Sequence, residues 1–272
     1  MTLLASWVAV DSRKPSAIYI VSDSKITWGN KGEYKYGRKV FASLTSPNIF
    51  GYCGDVLFPT IFLSQLVSLI DAGLIIKTEW TYRKKTAAII KYLKETLSTY
   101  PYRKGDNIMR DELEIIYGTR DKDSTFHCVD IKWCKHNNKW TFQSLPMERQ
   151  SYQLRITGSG KFEFKKKYEE YIQNKGMRTS RAMFQTFCDT LKNIKDKHCG
   201  GAPQLVGIYS KPNSPARNYG IIYKNHRYAL GLLVDACKNM NADTIEWRNE
   251  LFEICNPKSM NRREGAHAQP YP

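Results

Sequence analysis

Segments with the alternation of half-buried strands come in three blocks along this chain, and two pairs of helical segments separate the blocks. That order limits the fold more than any other feature. Strand-like stretches run over 3–10, 17–22, 40–43 and 48–53. A strongly apolar helix over 56–72 follows, and then an amphipathic one over 79–97, with Ala87, Ile90, Leu93 and Leu97 at helical spacing. Strands return at 112–118, 126–133, 140–144 and 152–156, before helices over 161–173 and 180–196. Strands at 204–210, 218–223 and 228–231 close the pattern. Helices that arrive in pairs, rather than one after each strand, argue against a parallel βαβ sheet. The order fits an α+β chain of two stacked antiparallel sheets with helices on both outer faces, a four-layer αββα sandwich. At 272 residues the chain is long enough to bury such a core.

Thr2 opens the first strand directly behind Met1. A threonine exposed by loss of the methionine carries a nucleophilic hydroxyl and a free α-amine on one residue. The amine, with an ordinary pKa of about 7.7–8.0, then serves as its own general base near neutral pH. Alone, Thr2 reads equally well as the start of a strand. Its company changes that reading.

Ser22-Asp23-Ser24-Lys25-Ile26-Thr27-Trp28-Gly29-Asn30 reads as a strand end and turn, and Arg38-Lys39-Val40 places Lys39 sixteen residues after Asp23. Gly51-Tyr52-Cys53-Gly54-Asp55 begins twelve residues after Lys39. Far downstream stand Gly158-Ser159-Gly160 and Lys195-Asp196-Lys197-His198-Cys199-Gly200-Gly201. In these segments, over roughly residues 2–230, the chain resembles the proteasome β-subunit family and, within it, the bacterial peptidase HslV. The resemblance implies the sandwich of N-terminal nucleophile (Ntn) hydrolases and a threonine-type peptidase. It assigns Thr2 as nucleophile and Lys39 as the charge that lowers its pKa. Asp23 orients and charges the pair with Lys39, and the Gly54 N–H forms the oxyanion hole. Ser159 and Asp196 would hold the amine, although each reads nearly as well as a helix cap and a surface acid. Cys199 stands where the family has a serine, which weakens one hydrogen bond because S–H is a poor donor. Ile26, Thr27, Gly37, Phe41, Tyr52 and Val56 match the wall of the family's substrate pocket.

The same resemblance implies a polypeptide substrate, a homo-oligomer that hides the site, and an ATP-dependent unfoldase as partner, and the excess of positive charge suits another acidic protein as partner. Two alternatives belong to other classes: a non-catalytic scaffold or binding subunit, and a stand-alone small-molecule amidase on the same fold.

Charge tests this reading against a rival. Lys and Arg number 42 against 26 Asp and Glu, a net charge of +16, which favours contact with polyanions. The densest patches, around Arg83, Lys165 to Lys167 and Lys195, sit in helical segments where solvated lysines are the plainer explanation. No nucleic-acid motif accompanies them, so nucleic acid is not expected as the primary partner. Seven cysteines at irregular spacing form no CxxC pair, and five scattered histidines supply no ligand cluster, so neither a metal nor a cofactor is expected. No run of eighteen apolar residues exists and the start lacks a secretory pattern, which predicts a cytoplasmic protein without a membrane span. Residues 1–231 are expected to form the hydrolase-like domain, and 232–272 an extension with a short helix over 243–253 and a disordered tail from 262.

Overall fold

β1 (Leu4–Asp11) and β2 (Lys14–Ser22) pair antiparallel from Leu4↔Ser22 to Asp11↔Lys14, which sets the chain's first turn back on itself and brings residue 23 beside residue 3. The computed structural model describes residues 2–12, 14–102, 109–175, 178–236 and 244–268. Short β3 (Ile26–Thr27) and β4 (Glu33–Tyr34) form a ribbon, and β5 (Val40–Ala42) and β6 (Asn48–Gly54) lead into α1 (Leu57–Asp71) and α2 (Tyr82–Thr99). β7 (Glu112–Arg120), β8 (Phe126–Cys134) and β9 (Lys139–Leu145) make a meander, and β10 (Tyr152–Thr157) precedes α3 (Lys161–Lys175) and α4 (Ser180–Asn193). β11 (Gln204–Tyr209), β12 (Arg217–Tyr223), β13 (His226–Ala229), β14 (Leu232–Leu233), β15 (Glu246–Arg248) and β16 (Ile254–Cys255) complete the chain.

These strands form two large sheets. One runs β10-β1-β2-β11-β12-β13-β14, with β15 added parallel to β12, and the other runs β5-β6-β7-β8-β9. Period-two alternation then decides which side chain enters which core. Leu3, Ala5 and Trp7 face α3 and α4, where they meet Phe164, Phe184 and Phe187. Leu4 and Val8, one residue out of phase, point between the sheets with Ile18 and Ile20 and meet Val40, Ile49 and Ile116. On the far side of the second sheet, Phe50, Ile115 and Tyr117 pack under Phe58, Leu63, Ile89 and Leu93 of α1 and α2. Three separate cores between four layers are the αββα sandwich, and each fully buried Leu or Phe contributes about 1.5–3 kcal/mol. Close sheet approach requires glycine at Gly51, where a Cβ would lie 2.6 Å from Ile20 Cγ2 and 2.9 Å from Leu4 Cδ1.

Observed elements depart from expectation mainly where they are short or made by distant partners. β3, β4 and β14 have two residues each, too few for a periodic signal. The helix expected over 243–253 is absent from its described part, where β15 instead runs beside β12. Trp247 explains the change: its indole lies flat against Gly220, where any Cβ would collide with the ring, and it packs with Ile222 and Cys255. A tertiary slot for one tryptophan overrides the local helical pattern. The disordered tail expected from 262 begins with ordered contacts, a bridge of Arg262 to Cys255 and a hydrogen bond from Arg262 Nη1 to Ala266 O at 2.6 Å. Residues 269–272, and most of the basic loop expected over 102–111, lie outside the described residues. Among the described residues no helix is long and apolar enough to cross a membrane.

Candidate active site

The open end of the β1–β2 hairpin builds the site. Past the last strand pair, Asp23 N–H donates to Leu3 O at 3.2 Å and Leu3 N–H donates to Asp23 Oδ1 at 3.1 Å, so the aspartate is clamped beside Thr2. Lys39, the residue before β5, enters from the facing sheet. Its Nζ donates to Thr2 Oγ1 at 2.9 Å and to Asp23 Oδ1 at 2.8 Å. Thr2 is 2% exposed, and Asp23 and Lys39 are 0% exposed. Two of the three ammonium protons are therefore committed, one to a hydroxyl oxygen and one to a carboxylate, inside a dry site. The second carboxylate oxygen, Oδ2, accepts from Lys25 N–H at 3.3 Å and Gly200 N–H at 3.0 Å.

One side chain locks the arrangement without touching Thr2. Gln204, buried at the start of β11, accepts from Lys39 N–H through Oε1 at 3.0 Å. Its Nε2 donates to Asp23 O at 3.1 Å and Gly37 O at 2.7 Å. Sequence reasoning missed Gln204, as it missed the Gly200 N–H. The available signal was a polar residue opening an otherwise apolar strand, which is weak because such positions abound.

Gly54 ends β6 with a φ of +99°, a backbone state that favours glycine, and a Cβ there would collide with Glu112 O. Tyr52 N–H donates to Lys39 O at 3.2 Å, while Asp55 N–H donates the other way, to Glu112 O at 3.1 Å. Strand alternation then turns the Gly54 N–H toward the same edge as that of Tyr52, one step beyond Lys39. Asp55, also unforeseen, fixes this corner by accepting from Phe58 N–H at the start of α1 and from Arg110 N–H, each at 3.1 Å.

The loop before α3 covers the third side. Gly158 has a φ of +92°, and a Cβ on it would overlap the Thr2 carbonyl oxygen. Gly160 N–H donates to that oxygen at 3.5 Å. Ser159 Oγ lies 3.5 Å from Cys199 Sγ, which in turn donates to Asp196 Oδ2 at 3.4 Å. Burial works to raise the Asp196 carboxyl, but hydrogen bonds from Ser159, the His198 N–H and the Cys199 thiol outweigh it and hold it below the usual carboxylate range. Burial pushes the Cys199 thiol far up, so it stays protonated and acts as a donor. The nearby Cys53 thiol is pushed up to about 11, chiefly by burial and then by Glu114, so it stays protonated at neutral pH.

The residues matched to a substrate pocket divide. Ile26 lies over Gly37, close enough that a Cβ there would overlap it, and Thr27 Oγ1 is 3.1 Å from His198 Nδ1. Val56 is the half-buried cap residue of α1. Phe41 and Tyr52 are instead 1% and 0% exposed, with rings stacked at 6.5 Å in the core under α1 and α2. The Tyr52 hydroxyl bonds Arg38 O and Thr60 Oγ1. On the other side of the site, a cleft of about 580 Å³ starts at Gly54, Gly158 and Ser159 and extends over β7 and β8 to the first turn of α3. Among the described residues no group of His, Cys, Asp and Glu is placed to hold a metal ion.

No family model matches the sequence, and no curated protein matches it. Solved structures do. The Anbu complex from Pseudomonas aeruginosa, a helical assembly, aligns with a TM-score of 0.58 at 12% identity, over 83% of this chain and 86% of that one. Anbu from Yersinia bercovieri, an ancestral β-subunit, aligns with a TM-score of 0.50 at 9% identity, over 78% of this chain and 81% of that one. A eukaryotic HslV from Trypanosoma brucei overlays more loosely, with a TM-score of 0.44 at 12% identity, over 76% of this chain and 99% of that one. At these identities the likeness is one of fold: the chain has the proteasome-like Ntn hydrolase sandwich.

Proposed function

We propose that this protein is a threonine-type peptidase, hydrolysing amide bonds through Thr2 after removal of Met1 and working as a homo-oligomer. One observation carries the reading: a fully buried Lys39 ammonium donates at once to Thr2 Oγ1 and Asp23 Oδ1. Burying an ion pair is expensive, and a merely structural pair of this kind is rarely worth more than apolar side chains of equal volume. Aimed at a hydroxyl, it has a use. The ammonium stabilises negative charge as it develops on Oγ, in a dry site where such a contact is strong.

The steps follow from that geometry. The Oγ–H proton passes to the freed α-amine of Thr2 as Oγ bonds to the substrate carbonyl carbon. The Gly54 N–H donates a hydrogen bond to the oxyanion. Collapse breaks the C–N bond, the departing amine takes the proton back from the α-amine, and an ester on Thr2 remains. Water, deprotonated by the same amine, then releases the acid and restores Thr2. Ser159 and Asp196, linked through Cys199, orient the amine. Ile26, Gly37 and Thr27 flank the acyl side.

The test is intact mass with N-terminal sequencing, followed by reaction with a β-lactone or a peptide epoxyketone. The expected result is a chain that starts at Thr2 and carries the label there, with no labelling of Thr2→Ala. A chain that keeps Met1, or a label confined to cysteine, would refute the proposal. A subunit that is monomeric by light scattering at every salt concentration would remove the oligomer from it.

A further inference from the structure

The cleft beside the site carries an unequal charge. Lys132, Lys139, Arg155 and Lys161 line it, against only Glu112 and Glu114. Two of the cations are already committed. Arg155 Nε bonds Glu114 Oε1 at 2.7 Å and lies 3.2 Å from Asp130 Oδ2, and Lys132 Nζ lies 3.4 Å from the same Asp130 oxygen. The other two are not. Lys139, exposed at the start of β9, and Lys161, opening α3, form no ion pair among the described residues. Lys161 Nζ sits 4.9 Å from the centroid of the Phe162 ring, which is 72% exposed. A cleft of about 580 Å³ falls within the ~300–1,000 Å³ of ordinary ligand sites. An excess of one charge along a concave wall concentrates counter-charged ligands there.

Position gives this field a target. The cleft starts at Gly54 and Ser159, whereas Ile26 and Gly37 do not line it. A peptide whose carbonyl lies at Thr2 with its acyl side toward Ile26 must therefore send its leaving side into the cleft. We propose that the cleft binds the residues after the scissile bond and selects acidic ones, with Lys139 and Lys161 as the residues that determine this specificity. The proposal rests on Thr2 being the nucleophile. Carboxylates at the first residues of the leaving fragment meet the two uncommitted ammonium groups, while Phe162 supplies an apolar wall for their side-chain stems. Because both cations are at or near the surface, each contact is worth a few-fold rather than a thousandfold, and salt weakens it.

Three fluorogenic peptides, alike on the acyl side and carrying Asp-Glu, Ala-Ala or Lys-Lys directly after the scissile bond, test the selectivity. The expected order in kcat/KM is acidic, neutral, basic, with the acidic peptide about tenfold over the neutral one at low salt and the advantage shrinking as salt rises. The Lys139→Gln/Lys161→Gln double variant should erase the preference and Lys139→Glu/Lys161→Glu should invert it, with β-lactone labelling of Thr2 unchanged in both. Equal cleavage of the three peptides, or a preference that survives both double variants, overturns the proposal and leaves the peptidase reading standing. Absence of both cleavage and labelling overturns the peptidase reading instead. Fluorescence anisotropy of a labelled Asp-Glu peptide and its Lys-Lys counterpart on Thr2→Ala protein then still decides the cleft, since equal affinity for both refutes its selectivity.

Discussion

Two clusters of carboxylate and cation stand side by side between the sheets, and they are built on opposite terms. Around Asp23 every oxygen is matched: Oδ1 takes Leu3 N–H and Lys39 Nζ, and Oδ2 takes Lys25 N–H and Gly200 N–H. Around Asp130 the acids crowd. Oδ2 faces Lys132 and Arg155, while Oδ1 is buried without a hydrogen-bond partner among the described residues. Glu114 holds the better share of Arg155, with Thr157 Oγ1 donating to its other oxygen at 2.6 Å. Fixed backbone donors make the first cluster rigid and hold Lys39 on Thr2. A neighbouring acid and an unmatched oxygen make the second one titrate. The contrast separates a cluster that holds its charge against one hydroxyl from one that ties two sheets together.

The most damaging way to break the first cluster is Asp23→Ala. It strands a buried ammonium and leaves the Leu3 and Gly200 N–H groups without their acceptor, and the expected loss is about 3–5 kcal/mol of stability, read as the shift in a urea midpoint, together with all Thr2 labelling. A stability change under about 1 kcal/mol would show that Asp23 behaves as a surface acid. Lys39→Met keeps the volume and leaves Asp23 three N–H donors, so the protein should stay folded with a smaller loss. Labelling of Thr2 should nevertheless slow by about 10²–10³, the usual effect of one positioned catalytic donor. Retained labelling with a normal midpoint would take Lys39 out of the site.

The second cluster should respond to pH. Burial, and then Glu114, push the Asp130 carboxyl up to about 6. In the unfolded chain it returns to about 3.9. Between these values the native state binds more protons than the unfolded one, so this group's contribution to stability falls as pH rises from about 4 to 6 and is flat above, by about 2–3 kcal/mol in all. Glu114 opposes it. Hydrogen bonds from Arg155 and Thr157 overcome the effect of burial and lower its pKa, so its contribution is lost on acidification below the Asp130 window. Asp130→Asn mimics the protonated acid, and the difference in unfolding free energy between it and the parent should change across pH 4–6 by that amount. A constant difference would mean that Asp130 is relieved by a donor from solvent.

How legible these features were depends on how local their causes are. The αββα order was readable because long strands and paired helices impose their periods over many residues, as β7, β8, α1 and α2 do. Asp23 and Lys39 were readable as a spaced motif, since the hairpin and β5 fix where each falls. Gln204 was not, because its role lies in bonds to residues more than 160 positions away. Nor was the fate of Phe41 and Tyr52. Motif spacing placed them near the pocket, but strand alternation turns them into the core beneath α1. β15 escaped notice because its pairing depends on Gly220 leaving room for Trp247.

The smallest effect belongs to the sulfur contact beside Asp196. Besides the hydrogen bond that Ser159 gives Asp196, a contact between the two runs through the Cys199 sulfur, at 3.5 and 3.4 Å, and a buried thiol that stays protonated gives Asp196 only a weak donor. Cys199→Ser supplies a stronger O–H in nearly the same place, at the expense of some sulfur packing against Gly160. One neutral hydrogen bond is worth about 0.5–1.5 kcal/mol, and a part of that gain would reach the Thr2 amine. Labelling of Thr2 by a β-lactone should therefore quicken about threefold, with the affinity for peptide unchanged. A slower reaction in Cys199→Ser would show that the site is shaped around the larger sulfur atom.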